Sequence, residues 1–334
     1  MTRIVSYNIL VGATRRVNQL TKIIRPVHPD IVGLVEATNP QVVEELAKRL
    51  EMQYVMSGHA QHTRDWQVAV LSSLPIVETQ IHISSGVLMK PVLQVCVEEA
   101  DGQQLTVFVT HLTAAFNQGW AGERIRRREM QELLRIMALK QGTPHLLMGD
   151  FNALAPGDAF KASLLLRYVV KQDQLRRQNA HVAYGDPHLN FVVPPQLRVF
   201  NPLLRLIARS RPLYTLFDAA ASLYAPRGSI NLLSEAGYVD CYRRMNPDAW
   251  GFTCPASSPA GRIDFIFASP ELAERLSASH VVTEGEGLRA NEASDHRAVV
   301  AEFGESISKG GMGSSWRSHE LPMPLKQVSP LAGP

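Results

Sequence analysis

Short apolar runs rich in β-branched residues alternate along this chain with stretches of helical spacing, and that alternation restricts it to a layered α/β architecture. "RIVSYNIL" reads as a strand. "RVNQLTKIIRPV" places Val17, Leu20, Ile23 and Ile24 at helical spacing, and Pro26 ends it. "DIVGLVEA" is a second buried strand. "NPQVVEELAKRLE" is a helix with Asn39 as N-cap, Pro40 in its first turn, and Val42, Val43 and Leu46 on one face. "YVMSG", "QVAVLSS", "VLQVCVEE" and "LTVFVTHL" are further strands, and Ala100, Asp101 and Gly102 join the last two as a hairpin. "GERIRRREMQELLRIMALKQG" is a long helix with Ile125, Met130, Leu133, Leu134 and Met137 inward and Gly142 as its stop. Its basic run, Arg124 to Glu129, is expected as a solvated face. "PHLLMGDFNAL" follows: an apolar strand from His145 to Met148 that packs on both faces and then breaks into Gly149, Asp150, Phe151 and Asn152.

After Leu154 the pattern is interrupted. Residues from about 155 to 235 combine helical pieces ("AFKASLLLRYVV") with a Pro-punctuated section, and Lys161 to Arg227 hold ten basic residues against three acidic ones. This reads as a basic, largely helical insertion in one domain spanning residues 1–303. Two readings of it stay open: a cap that grips a polyanion or rests on an anionic membrane through "VFNPLLRLIARSRPLYTLF", or a helical elaboration whose arginines face solvent. Strand character resumes at "GYVDCYR" and continues through "GFTC", "RIDFIFAS", "HVVTEG" and "DHRAVVAEF". Residues 304–334, rich in Gly, Ser and Pro, are expected to be a disordered tail.

Bulk composition sets outer bounds. With 45% hydrophobic and 19% charged residues the 334-residue chain is of ordinary globular type. A net charge of +3 permits a polyanionic substrate without requiring one. Three widely spaced cysteines, Cys96, Cys241 and Cys254, make neither a disulfide framework nor a zinc spacing and suit a reducing compartment. The N-terminus lacks the form of a signal peptide, and no apolar run approaches the roughly 20 residues that cross a bilayer. A cytoplasmic monomer is expected.

The informative residues sit at strand ends. The first strand delivers Asn8 and the second Glu36. "VFVTHL" delivers His111, "HLLMGDFN" delivers Asp150 and Asn152, "GRIDFIF" carries Arg262 and Asp264, and "ASDHRAVV" opens with Asp295 and His296. Taken singly, each has a structural explanation: a turn amide, a core histidine, an Asp264 paired with Arg262. Taken together, they place carboxylates, amides and imidazoles where α/β sheets gather their ligands. Hard oxygen donors (Asn8, Glu36, Asp150, Asp295) suit magnesium or manganese. Two histidines, each needing an orienting carboxylate, suit proton transfer and phosphoryl stabilisation.

In this order, "SYN", "GLVE", "THL", "GDFN", "RIDFIF" and "SDH" resemble the endonuclease/exonuclease/phosphatase superfamily, the DNase I-like fold. The resemblance covers residues 1–154 and 237–303. It implies a four-layer αββα sandwich, two packed mixed β-sheets flanked by helices. It also implies hydrolysis of phosphate esters with a divalent cation, Mg2+ or Mn2+. Position by position, it implies Glu36 as principal metal ligand, Asn8 positioning metal and phosphate, and Asp295 as a metal ligand at a second site or in the outer shell. Asp150 would activate the attacking water, with Asn152 holding Asp150 and the phosphate. His296, oriented by Asp264, would stabilise the phosphate, and His111 would contact it or assist the leaving group.

The substrate is less legible. The AP-endonuclease branch typically has an acidic residue where this chain has Leu10, and an aromatic where it has His111. His111 resembles instead the DNase I, sphingomyelinase and inositol-phosphatase branches. A phosphodiesterase or nuclease is the first expectation, and a phospholipid or inositol-phosphate hydrolase the alternative. A non-catalytic binding module would be expected to have lost ligands, and none is missing. A serine hydrolase is disfavoured because no G-x-S-x-G elbow is present.

Overall fold

The computed structural model describes residues 1–58, 67–115, 118–178, 193, 195–207 and 210–305. The expected tail from 306 onward and part of the insertion (179–192, 194, 208–209) lie outside the described residues.

The chain begins with β1 (Thr2–Asn8), α1 (Val17–Ile24), β2 (Ile31–Val35), α2 (Pro40–Leu50), β3 (Gln53–Met56) and β4 (Val68–Ser72). Next come β5 (Ile76–His82), β6 (Val92–Glu98), β7 (Gln104–His111), α3 (Trp120–Met137) and β8 (His145–Asp150). Four helices follow: α4 (Ala162–Gln178), α5 (Asn201–Ile207), α6 (Arg211–Tyr224) and α7 (Gly228–Glu235). The last part runs β9 (Val239–Asp240), α8 (Cys241–Met245), β10 (Asp264–Ala268), α9 (Pro270–Ala273), β11 (Leu276–Val281), the short pair β12 (Glu284–Gly285) and β13 (Leu288–Arg289), and β14 (Val299–Phe303).

Two six-stranded sheets result, ordered β11-β14-β1-β2-β4-β3 and β5-β6-β7-β8-β10-β9. Each is mixed: β1 and β2 pair in parallel in the first, β7 and β8 in the second, amid antiparallel neighbours. The central strands are buried on both faces, so they read as continuous apolar runs rather than as alternation. Their inner faces meet: Ile4, Ile31, Val68 and Val70 pack against Val95, Val107, Val109, Leu146, Met148 and Ile266. Gly33 belongs to that contact, because a Cβ there would collide with the Met148 side chain from the opposite sheet. The outer face of the first sheet (Val5, Tyr7, Val32, Leu34) is covered by Leu20, Ile23, Ile24, Val43 and Leu46 of α1 and α2. Phe108, Leu147, Phe265 and Phe267 of the second are covered by Met130, Leu133 and Met137 of α3 and by Ile230 and Leu233 of α7. This is the four-layer αββα sandwich expected. Asn39 caps α2 as anticipated, its side chain accepting from Gln41 N at 3.1 Å.

Several local expectations differ. β5 has no counterpart in the sequence reading, because it is an edge strand with mostly exposed, polar residues. "GFTC" makes only an isolated bridge between Cys254 and Gly261. In "GYVDCYR" only Val239 and Asp240 are strand; Asp240 then caps α8 by accepting from Arg243 N at 3.0 Å. "HVVTEG" is strand at both ends but broken: His280 and Val281 close β11, and after Val282 and Thr283 the pair Glu284–Gly285 forms β12. In α3, Ile125 and Leu134 are only half-buried. Glu123, Arg126 and Glu129 are buried instead, and Arg126 pairs with Glu123 at 3.2 Å, so the basic run is not wholly a solvated face. The helix ends at Met137 and passes through a 3₁₀ turn before Gly142.

Candidate active site

One edge of the sandwich collects the ends of strands from both sheets. In the first sheet, β1 ends at Asn8 beside Val35, so Glu36 follows at the same edge. In the second, His111 is in register with Asp150, and Asp150 with Asp264. The loop before β14 brings Ser294, Asp295 and His296 to the seam. Ser294 fastens that loop: its hydroxyl donates to the Asn8 carbonyl at 2.7 Å and accepts from His296 N at 3.2 Å. The "MGD" break is set by Gly149, whose φ of 144° and contact with the Thr110 carbonyl leave no room for a Cβ. Glu36 and Asn152 both adopt positive φ, 59° and 47°. Such strain in non-glycine residues gathers at functional sites.

Asp150 is the centre of the set. It is buried, and its Oδ2 accepts from Asn8 Nδ2 at 3.1 Å. The same oxygen faces His111 Nε2 at 3.6 Å and His296 Nε2 at 3.8 Å. Oδ1 accepts from Asn152 N at 2.9 Å, while Asn152 Nδ2 donates to the Leu112 carbonyl at 3.0 Å. His296 Nδ1 lies 2.8 Å from Asp264 Oδ2. Glu36 is held through both oxygens, Oε2 by Val11 N at 2.7 Å and Oε1 by Asn8 Nδ2 at 3.2 Å. Asp295 is half-buried, and its charge acts on Glu36. All eight expected site residues therefore belong to one cluster.

Electrostatics divides the histidines. Burial and then the Lys90 ammonium hold His111 well below its ordinary value, so it is neutral. Burial would also lower His296, but the carboxylate of Asp264, followed by Cys254, Asp295 and Asp150, raises it well above the ordinary value, and it is an imidazolium. Only His296 has an orienting carboxylate hydrogen bond. His111 Nδ1 has no hydrogen-bond partner among the described residues, contrary to the expectation that both rings need one. Burial lifts Asp150 to about 7, against the pull of His296. Burial, then Asp295, also raises Glu36.

Glu36, Asp295 and Asn8 offer hard oxygen donors with no thiol among them, and the two carboxylates act on each other beside the Arg16 and His296 charges. That chemistry fits a divalent cation of the magnesium type. Asp150, Asp264 and His296 also present ligand atoms within 4.8 Å of one another. There, however, the short Asp264–His296 hydrogen bond already occupies Nδ1.

Two contributors, Lys90 and Arg16, were not legible in the sequence, and a third, Arg262, has other partners than the one expected. Lys90, just before β6, is buried, with Nζ donating to the Leu112 carbonyl at 3.0 Å. Arg16 reaches the carbonyls of Leu10 and Ala293, tying the loop after β1 to the one before His296. Arg262 does not pair with Asp264. It binds Asp158 through Nε at 2.9 Å and Asp240 through Nη2 at 2.6 Å. An isolated Lys or Arg beside an apolar run carries no pattern to mark it.

The profile of the Endonuclease/Exonuclease/phosphatase family matches residues 5–296. The chain belongs to that family. Its reaction class is accordingly that of a phosphoric ester hydrolase, in a superfamily of metal-dependent phosphodiesterases and nucleases. Solved structures share the fold of this family member. An AP endonuclease from Archaeoglobus fulgidus aligns with TM-score 0.55 and 18% identity over 91% of this chain and 99% of its own. A 3' phosphatase, NExo, from Neisseria bound to product DNA hairpin aligns with TM-score 0.58 and 16% identity over 91% and 99%. Truncated TDP2 from Caenorhabditis elegans aligns with TM-score 0.54 and 15% identity over 91% and 97%. No curated protein matches the sequence. Among the described residues no helix is long and apolar enough to cross a membrane.

Proposed function

We propose that this protein is a divalent-metal-dependent phosphodiesterase acting on nucleic acid, with water as nucleophile. The observation that carries the reading is Asp150: one buried carboxylate oxygen that meets Asn8 and faces both a neutral and a charged imidazole. A base that titrates near 7 is matched to proton abstraction at neutral pH. In the proposed reaction Asp150 takes the proton of the attacking water, and the Asn152 backbone N–H and Asn8 amide fix its orientation. His296, charged and aligned by Asp264, meets the non-bridging oxygens as charge develops on them. His111, neutral, contacts the phosphate or assists the leaving oxygen. Glu36, Asn8 and Asp295 hold the cation, Mg2+ or Mn2+. When bound, it supplies Lewis-acid neutralisation of the phosphate.

The test is a panel of plasmid DNA, abasic DNA, RNA, sphingomyelin, inositol phosphates and an aryl phosphodiester, assayed with magnesium, manganese and chelator. Metal-dependent cleavage of a nucleic acid supports the reading. Turnover that survives chelation contradicts the metal requirement, and lipid turnover alone contradicts the nucleic-acid substrate.

A second reading, a phospholipid or inositol-phosphate ester hydrolysed at an anionic membrane, draws on one feature of the insertion. The helical stretch through Pro195–Phe200 and α5 turns Leu204 and Ile207 toward a small core with Leu166, Val169 and Val170. Val199, Phe200, Leu203 and Leu206 remain half or more exposed, with Val199 at 75%. A helix apolar on two faces suits an interface with lipid. Co-sedimentation with anionic but not zwitterionic vesicles would favour this reading.

A further inference from the structure

Helix α4 shows two different faces. Leu166, Val169 and Val170 belong to the small core of the insertion. Arg167, Lys171 and Gln174, spaced at i, i+4 and i+7, share another face. The turn at residues 255–258 stands opposite that second face. Helix and turn frame a cavity of about 480 Å³, with Arg167, Lys171, Gln172 and Gln174 on one side and Ser257 and Ser258 on the other. Small ligands occupy cavities of roughly 300–1,000 Å³.

The chemistry of the walls suits an anion. Two cations, two amides and two hydroxyls line the cavity, and among the described residues no carboxylate does. Of the acids between Lys161 and Arg227, Asp173 pairs with Arg205 at 2.6 Å, and Asp218 accepts from Ser163 N at 2.7 Å and Ser163 Oγ at 3.0 Å. Arg167 is steadied by the Tyr214 ring, its guanidinium carbon 5.5 Å from the ring centroid. Arg167, Lys171 and Ser257 are exposed, so the cavity is reached from solvent.

Short links tie this cavity to the catalytic edge. Ser258 Oγ donates to the Leu164 carbonyl of α4 at 3.3 Å. Ala256 N, one residue before Ser257, donates to the Asp295 carbonyl at 2.6 Å, and Arg297 Nη2 donates to the Ala256 carbonyl at 3.2 Å. These bonds place Ser257 within about 10 Å of Asp295. A nucleic-acid strand carries one phosphate per about 3.4 Å of its axis, so a strand gripped at the catalytic edge presents further phosphates within that reach.

We propose that this cavity is a subsite for a backbone phosphate of the substrate strand, next to the scissile one, with Arg167 and Lys171 supplying charge and Ser257 a hydroxyl donor. This rests on the nucleic-acid reading above. α4 lies outside the segments that carry the family motifs, so the subsite belongs to the basic insertion rather than to the shared catalytic edge.

Lys171→Gln, Lys171→Arg and Ser257→Glu probe the two walls at exposed positions, and Lys48→Gln on α2 removes one exposed charge over the first sheet as a control. KM and kcat are measured with Mg2+ across a salt series on two substrates. One is an oligonucleotide of the nucleic acid that the wild type cleaves (DNA, abasic DNA or RNA). The other is an aryl phosphodiester, which has no neighbouring phosphate to reach the cavity. Lys171→Gln is expected to raise KM for the oligonucleotide about threefold or more at low salt, and to lower the salt slope of log kcat/KM by ~0.7–0.9, the share of one phosphate contact. Ser257→Glu, which sets a carboxylate in the cavity, is expected to raise KM at least as much. Lys171→Arg and Lys48→Gln are expected to stay near the wild type, and the loss is expected on the oligonucleotide and not on the aryl phosphodiester. Unchanged oligonucleotide KM in Lys171→Gln or in Ser257→Glu overturns the proposal. So does an equal loss in Lys48→Gln, which marks net charge alone, or a loss that extends to the aryl phosphodiester, which marks damage to the catalytic edge. A Lys171→Gln defect confined to binding of anionic vesicles overturns it in favour of a lipid headgroup. A wild type that cleaves no nucleic acid overturns the underlying reading instead, so the two failures are distinct.

Discussion

Asp264 Oδ2 lies 2.8 Å from His296 Nδ1, and the opposite nitrogen of the same ring faces Asp150 Oδ2 at 3.8 Å. One imidazole therefore links the carboxylate that charges it to the carboxylate proposed as base. In Asp264→Asn the ring loses its anionic partner and its preferred tautomer. Turnover of an aryl phosphodiester is expected to fall about a hundredfold or more, with KM little changed. Near-wild-type turnover in the folded variant would remove Asp264 from the mechanism.

Cation binding should release protons. Burial lifts Asp150 to about 7 and, with Asp295, raises Glu36. Because Asp150 sits at about 7, the metal-free site retains at neutral pH part of a proton that an ordinary carboxylate would have lost. A divalent cation favours the ionised form and expels it. Calorimetric titration with Mg2+ at pH 7 in two buffers of different ionisation enthalpy is expected to show net proton release. The release should fade by about pH 8.5, where Asp150 is already ionised. Metal affinity should accordingly weaken as pH falls below 7. Buffer-independent heats at pH 7 would contradict the assignment.

Arg262 is 1% exposed and neutralises two carboxylates, Asp158 and Asp240, while lying 4.4 Å from the Phe265 ring centroid. Arg262→Ala leaves the buried Asp158 with Arg243 as its one guanidinium partner among the described residues and takes the guanidinium from the half-buried Asp240. The expected loss of unfolding free energy is about 3–5 kcal/mol, read from denaturant midpoints. A loss below about 1 kcal/mol would show that water replaces the guanidinium at little cost.

Gly149 offers a test of how tightly Asp150 is placed. At φ 144° any side chain is strained, and here it would also meet the Thr110 carbonyl. Gly149→Ala is expected to destabilise by more than about 1 kcal/mol. Turnover should fall with it, because β7 and β8 must separate where His111 and Asp150 are paired. A variant with wild-type melting temperature and turnover would mean that the strands absorb the methyl group without moving the site.

Much of the fold and of the site was legible from residue order. Continuous apolar runs mark strands buried on both faces, and helical spacing marks their covers. A polar residue ending such a run is conspicuous, which is why Asn8, Glu36, His111, Asp150, Asn152, Asp264, Asp295 and His296 stood out and were found at one edge. β5 was not legible, since an edge strand with polar faces lacks the apolar run that identifies the others.

The sequence by itself determined the alternation of strands and helices, the family, and which side chains stand at strand ends, because these depend on local pattern and order. The tertiary structure decided which neighbours those side chains meet. Burial, and then the Lys90 charge, made His111 neutral, while, against burial, Asp264 foremost made His296 charged. The tertiary structure also turned Arg262 toward Asp158 and Asp240 rather than Asp264 and buried Glu129 under the site. The reason is physical: a strand's apolar pattern is a property of its own residues, whereas a charge state depends on burial and on partners that can lie more than a hundred residues away, as Asp150 does from Asn8.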